Sequence, residues 1–182
     1  MATATKIALV NSLFLAILVL GALAGWVTFP LFVSYQTVKI IHLAGLILFF
    51  GNMIAGPVWL LVAWYSGDMP LIRYAFRLLR LTDLWLTIPG IDLMVLSGIS
   101  LASIYGGVTE QSWLYQSMLA MLALWILALP VIYFQEKIYR QLENPETMAV
   151  DLKKNVNLWG IWGSMVMLPA VLVFCYMVFK PA

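Results

Sequence analysis

The sequence predicts an all-α, polytopic membrane helix bundle of five transmembrane helices, a four-helix core plus one N-terminal helix. Three observations predict it. Of 182 residues, 64% are hydrophobic and only 10% charged, with a mean hydropathy of +0.98, whereas soluble domains are about 25% charged. Several apolar runs exceed the ~18 residues that mark a membrane helix. The few lysines and arginines are distributed unevenly among the segments joining those runs.

The first span covers residues 7–27. Lys6, an apolar run and Ala22-Leu23-Ala24 give it the outline of a signal peptide, and we read it as an uncleaved helix. Residues 28–38 connect it onward, with Pro30 and Tyr35 near the interface. Residues 1–37 thus form the N-terminal transmembrane helix and connector, and residues 38–182 the four-helix membrane core.

The second span, residues 39–64, carries the only histidine, His42, and a deeply placed amide, Asn52. At 100° per residue, Gly45, Phe49, Asn52 and Gly56 fall within about 80° of His42. Small and polar residues thus share one face, and Leu43, Leu48 and Leu61 lie elsewhere. Such a face looks into a bundle rather than at lipid.

Residues 66–70 are a turn cluster, Ser-Gly-Asp-Met-Pro. Residues 69–80 form an amphipathic interfacial segment. Arg73, Arg77 and Arg80 recur at i, i+4 and i+7 and line one face, with Leu71, Ala75, Leu78 and Leu79 largely away from it. That pattern suits anionic headgroups or a specific lipid or partner site. The third span, residues 81–105, has Pro89-Gly90 in its first half and Asp92 near mid-depth. Residues 106–111 connect it to the fourth span, residues 113–134, which contains Pro130. Residues 136–154 form a polar loop, helical at first, with a break at Asn144-Pro145. The fifth span is residues 158–179.

Orientation follows from the cations. One side collects Lys6, Arg73, Arg77, Arg80, Lys137, Arg140, Lys153 and Lys154, and the other keeps only Lys39 and Lys180. The expectation is N-in and C-out. Trp26, Trp59, Trp64, Trp113 and Trp159 lie near span ends, as an aromatic belt would.

A net charge of +2 gives no basis for nucleic-acid binding. No phosphate-loop, dinucleotide or HExxH pattern is present. One cysteine, Cys175, excludes an intrachain disulfide and any cysteine metal cluster, and it reads as packing. His42 has two readings: a hydrogen bond between helices, or a ligand to haem iron or another metal. With one histidine, haem b needs a methionine partner (Met94, Met118 and Met121 are available), an open sixth position, or His42 of a second copy in a homo-oligomer. Asp92 is costly in a membrane, ~2.5–3.5 kcal/mol on insertion scales. It reads as a proton relay or cation site, or as a neutral acid hydrogen-bonded to another helix, with Asn52 the candidate partner. Asp83, three residues after Arg80, reads as a structural ion pair. Pro57, Pro89, Pro130 and Pro169 place one proline in each of the last four spans, as transporters with broken helices do.

The order of these motifs resembles a family. Lys39-x-x-His42, Phe50-Gly51-Asn52 and Ser66-Gly67-Asp68 come first, followed by an arginine-bearing stretch. Thr82-Asp83-Leu84-Trp85-Leu86, Pro89 and Ser97-Gly98 follow, then Trp113-Leu114, Leu129-Pro130-Val131 and Lys180-Pro181. Taken together, residues 38–182 resemble the bacterial integral-membrane family called domain of unknown function 2269. That implies a multi-pass protein of the bacterial inner (cytoplasmic) membrane and little chemistry. More distantly, the chain is similar to the copper-resistance D type and to the HemJ type, oxygen-independent protoporphyrinogen oxidases. The HemJ type implies haem b at the position of His42. It also carries a lysine where this chain has Ser117, which argues against the oxidase activity.

The leading expectation is a non-catalytic accessory or assembly subunit of a larger respiratory or electron-transfer complex, with the bilayer and other membrane-protein subunits as partners. The alternative is a haem-b redox protein with His42 as axial ligand, His42 and Asn52 being the candidate cofactor-binding residues. A third is a proton-coupled transporter using Asp92.

Overall fold

A computed structural model describes residues 3–144 and 151–181. The helices are α1 (Thr3–Leu23), α2 (Tyr35–Ser66), α3 (Met69–Thr82), α4 (Ile88–Ala102), α5 (Ser112–Glu143) and α6 (Leu152–Phe179). A π-helical turn, Asp83–Thr87, joins α3 to α4, and a 3-10 turn, Ser103–Tyr105, follows α4. No strand occurs among the described residues. Among the described residues, five segments are long and apolar enough to cross a membrane: Lys6–Leu23, Tyr35–Ser66, Met69–Tyr105, Ser112–Glu143 and Leu152–Phe179.

Two tight helix pairs, α2 with α4 and α5 with α6, build the bundle. Helix α1 lies against α4 and α5, and α3 bridges α2 and α5. Leu15, Val19 and Ala22 of α1 are fully buried in the same core as Met94, Ile99, Met118 and Leu124. A second core lies under α3, where Ile72, Ala75, Phe76 and Leu79 meet Leu60, Ile138, Leu142 and Trp159.

The small face of α2 decides how it packs. Its buried residues include Gly45, Phe49, Asn52 and Gly56, the face expected from helical spacing. A Cβ on Gly45 would sit 2.7 Å from both the Gly90 carbonyl oxygen and the Met94 nitrogen. A Cβ on Gly90 would sit 2.7 Å from the Phe49 nitrogen. The two backbones therefore touch at a glycine-on-glycine crossing, the close approach that small residues permit in membranes.

Two local differences from the sequence expectation have physical causes. The amphipathic segment and the third span are one continuous path. Pro89 cannot donate a helical bond, and just before it the chain widens by one residue, with the Ile88 N–H bonding Asp83 oxygen. The buried stripe of α3 is Ile72, Ala75, Phe76 and Leu79, while Leu71 is exposed. The segment after the fourth span is helical at first, as expected: α5 runs 32 residues, to Glu143, about 48 Å against a ~30 Å hydrocarbon core. Asn144 caps it, and Pro145 lies outside the described residues. Trp26 is 87% exposed, as a belt residue should be, but Trp113 and Trp159 turn into the bundle.

Candidate functional site

Among the described residues, a cleft opens towards each end of the bundle. The first, of about 570 Å³, is bordered by all the helices and by the π-turn. Its polar centre is Asp83, which the widened turn presents. Asn52 Nδ2 donates to Asp83 Oδ1 at 2.9 Å and to Thr87 Oγ1 at 2.8 Å. Thr87 Oγ1 in turn donates to Asp83 Oδ1 at 3.2 Å, and Gln135 Nε2 donates to Asp83 Oδ2 at 2.7 Å. One carboxylate thereby ties α2 and α5 to the turn. Three donors on one acceptor-only group are what a carboxylate inside a membrane needs.

This arrangement overturns two expected pairings. Asn52 serves Asp83, not Asp92; Asp92 instead accepts from Asn11 Nδ2 of α1 at 2.7 Å. Arg80 does not pair with Asp83. Its Nη2 lies 3.3 Å from Glu136 Oε2, and its guanidinium stacks 4.2 Å from the Tyr139 ring centre. The reason is shared. Sequence spacing sees partners within one helix, whereas Asp83 draws donors from α2 and α5, 31 and 52 residues away, and Arg80 finds its acceptor on α5.

The other two arginines also reach α5. Arg73 Nε donates to the Leu142 carbonyl at 2.8 Å, and Arg77 pairs with Glu143 at 2.8 Å while remaining half exposed. The arginine face of α3 therefore grips the end of α5, where unsatisfied carbonyls attract cations.

The second cleft, about 330 Å³, contains His42. Its imidazole Nδ1 lies 2.8 Å from the Met94 carbonyl oxygen and 3.2 Å from Ser97 Oγ. Ser97 Oγ itself donates to the Leu93 carbonyl. A carbonyl only accepts, so Nδ1 carries the proton and Nε2 of the neutral ring holds a lone pair. Nε2 has no hydrogen-bond partner among the described residues. Gly98 makes room for the ring, since a Cβ there would lie 3.2 Å from His42 Cε1. Met94, Met118 and Met121 line the same cleft. Ser117 lines it too, with its hydroxyl donating to the Trp113 carbonyl at 2.7 Å. Lys39, Tyr35, Tyr105 and Lys180 stand at its edge. Lys180 Nζ lies 5.5 Å from the Tyr105 ring centre and 5.1 Å from that of Trp113.

No group of three or more histidine, cysteine, aspartate or glutamate side chains gathers to hold a metal among the described residues. Asp92, singled out in the sequence, borders neither cleft. Asp83, Gln135 and Trp159 were not singled out as site residues. Only Asp83 carried a signal, as a carboxylate just inside a span.

Fold and clefts together define a polytopic α-helical integral membrane protein. Residues 36–181 match the family described as "predicted integral membrane protein (DUF2269)". The chain belongs to that family, whose match begins just after α1 and its connector. No curated protein and no solved structure matches it.

Proposed function

We propose that this is a haem-b-binding redox protein of the bacterial inner membrane, with His42 as axial ligand. One observation carries the reading. The Met94 carbonyl holds the Nδ1 proton and leaves the Nε2 lone pair of His42 unclaimed beside an apolar cleft. A backbone carbonyl on the far nitrogen is the usual support of a ligating histidine, fixing tautomer and ring angle. The residues around it suit such a group. Met94, Met118 and Met121 put thioethers, a ligand type that haem iron would accept, in the same cleft. Lys39 and Lys180 at the rim offer cations to two carboxylates. When bound, haem supplies a one-electron couple. The chain's part is to orient His42 through Met94 and Ser97, to exclude water with apolar walls, and to anchor the polar edge at the lysines.

With the arginine-bearing end inside the cell, this cleft lies at the outer face. Ser117 occupies the cleft where the HemJ type has lysine, so the proposal is haem binding and electron transfer, without the oxidase reaction. The accessory-subunit reading rests on the lack of a complete catalytic set in the sequence, on short loops and on exposed apolar flanks, and lipid accounts for the flanks equally well.

The test is an absorption spectrum of protein purified from haem-replete cells. A Soret band is expected in the native chain and absent in His42→Ala, with haem counted by pyridine haemochrome. Colourless, haem-free native protein ends the proposal, as does a His42→Ala protein that keeps its band.

A further inference from the structure

The Asp83 cleft is separate from the His42 cleft and carries an inference that does not depend on haem. We propose that it binds a neutral, membrane-soluble molecule whose polar end bears a hydroxyl, a long-chain alcohol or phenol in chemical class. Three observations lead there. Its volume, about 570 Å³, falls within the ~300–1,000 Å³ of small-molecule sites. Two bordering side chains, Asn52 at 4% and Trp159 at 6% exposure, each keep a buried polar atom without a hydrogen-bond partner: the acceptor Asn52 Oδ1 and the donor Trp159 Nε1. Such atoms cost about 1–3 kcal/mol each if left unpaired. The third observation concerns α6. Gly160 and Gly163 border the cleft, and a Cβ on either would meet nothing within 4 Å. They serve no close helix packing, unlike Gly45 and Gly90, and what they do is keep space open.

The class of ligand follows from the unmet groups. One wants a donor and the other an acceptor, and a hydroxyl is both. Charge is disfavoured. Asp83 already accepts from Asn52, Thr87 and Gln135, and Arg80 is held by Glu136. The remaining walls are mostly apolar, with Asn11, Ser12, Tyr139 and Ser164 the other polar residues at the cleft, and suit a hydrocarbon body.

The experiment uses the full chain in detergent micelles, with its eight tryptophans labelled at the indole nitrogen with 15N. The Trp159 signal is assigned by its loss in Trp159→Phe. The probe is 4-octylphenol, and octylbenzene is the same body without the hydroxyl. The expected result is a saturable shift of the Trp159 indole signal with octylphenol and none of that size with octylbenzene. Gly163→Leu, whose Cβ meets nothing within 4 Å and whose side chain extends into the cleft space, should remove the response while the other indole signals stay in place. If Gly163→Leu displaces those signals, Gly160→Val serves in its stead. An unmoved Trp159 signal overturns the proposal and points to water as the partner of these atoms. An equal response to octylbenzene overturns it too, by making the cleft a site for any apolar body. So does an undiminished response in the filled variant.

Discussion

Gly45→Ala tests the helix crossing on which both clefts depend. The added methyl would begin 2.7 Å from the Gly90 oxygen and the Met94 nitrogen, where ordinary contact starts at 3.4 Å. Both neighbours are backbone, so no side chain can swing aside. Helices α2 and α4 must separate by the difference, 3.4 − 2.7 = 0.7 Å. Overpacking of this kind costs about 1–3 kcal/mol. The same separation would stretch the 2.8 Å bond from His42 to the Met94 carbonyl, which lies just one turn from the crossing. Gly51→Ala is the matched control on the same helix, because a Cβ there meets nothing within 4 Å. Losing glycine's unfolded-state freedom should make that variant neutral or more stable, by up to ~1 kcal/mol. Thermal unfolding of the detergent-solubilised variants reads the difference. Opposite signs are expected, with Gly45→Ala the less stable. Equal stabilities would refute the backbone contact and the packing argument built on it.

Other outcomes follow from the polar contacts. Asp83→Asn puts an NH₂ group where an oxygen now accepts, leaving a donor of Asn52, Thr87 or Gln135 unpaired. It should destabilise by about 1–3 kcal/mol. Asp92→Asn, with the single partner Asn11, should cost about 1 kcal/mol or less, since the amide oxygen can still accept; the two unfolding curves should rank in that order. Arg80→Ala loses a partly buried ion pair and the stack on Tyr139, worth about 1–3 kcal/mol together. Arg77→Ala, on the exposed pair with Glu143, should be nearly silent in the same assay.

The five spans were legible because hydrocarbon thickness sets a length that any apolar run must meet. The inward face of α2 was legible for a related reason. Gly45, Asn52 and Gly56 are poor lipid-facing residues, and helical spacing puts them on one side. The partners of that face were not legible. Asn52 reaches Asp83 rather than Asp92 because the π-turn rotates the chain between the two carboxylates, and a single helical wheel drawn through residues 81–105 misplaces one of them. The arginines of α3 showed their common face but not its destination. Their acceptors, the Leu142 carbonyl, Glu143 and Glu136, sit on the helical start of the expected polar loop, more than 50 residues further on, where no spacing rule links them to α3. His42 was visible as an oddity, and Met94, Met118 and Met121 as available methionines. Only packing places all four around one cleft.

The π-turn also bears on which changes of length this chain can accept. Its five residues cover roughly the arc that four residues cover in a plain α-helix, so the turn holds one residue more than the helix path needs. Deleting Leu84, Trp85 or Leu86 should therefore close the turn to α-helix while α3 and α4 keep nearly their present phase, with Arg73, Arg77 and Arg80 still at α5. What such a deletion removes is the widened backbone that presents Asp83 to Asn52, Thr87 and Gln135. The same deletion made in the regular part of α3 has no slack to draw on and turns whatever precedes it by about 100°.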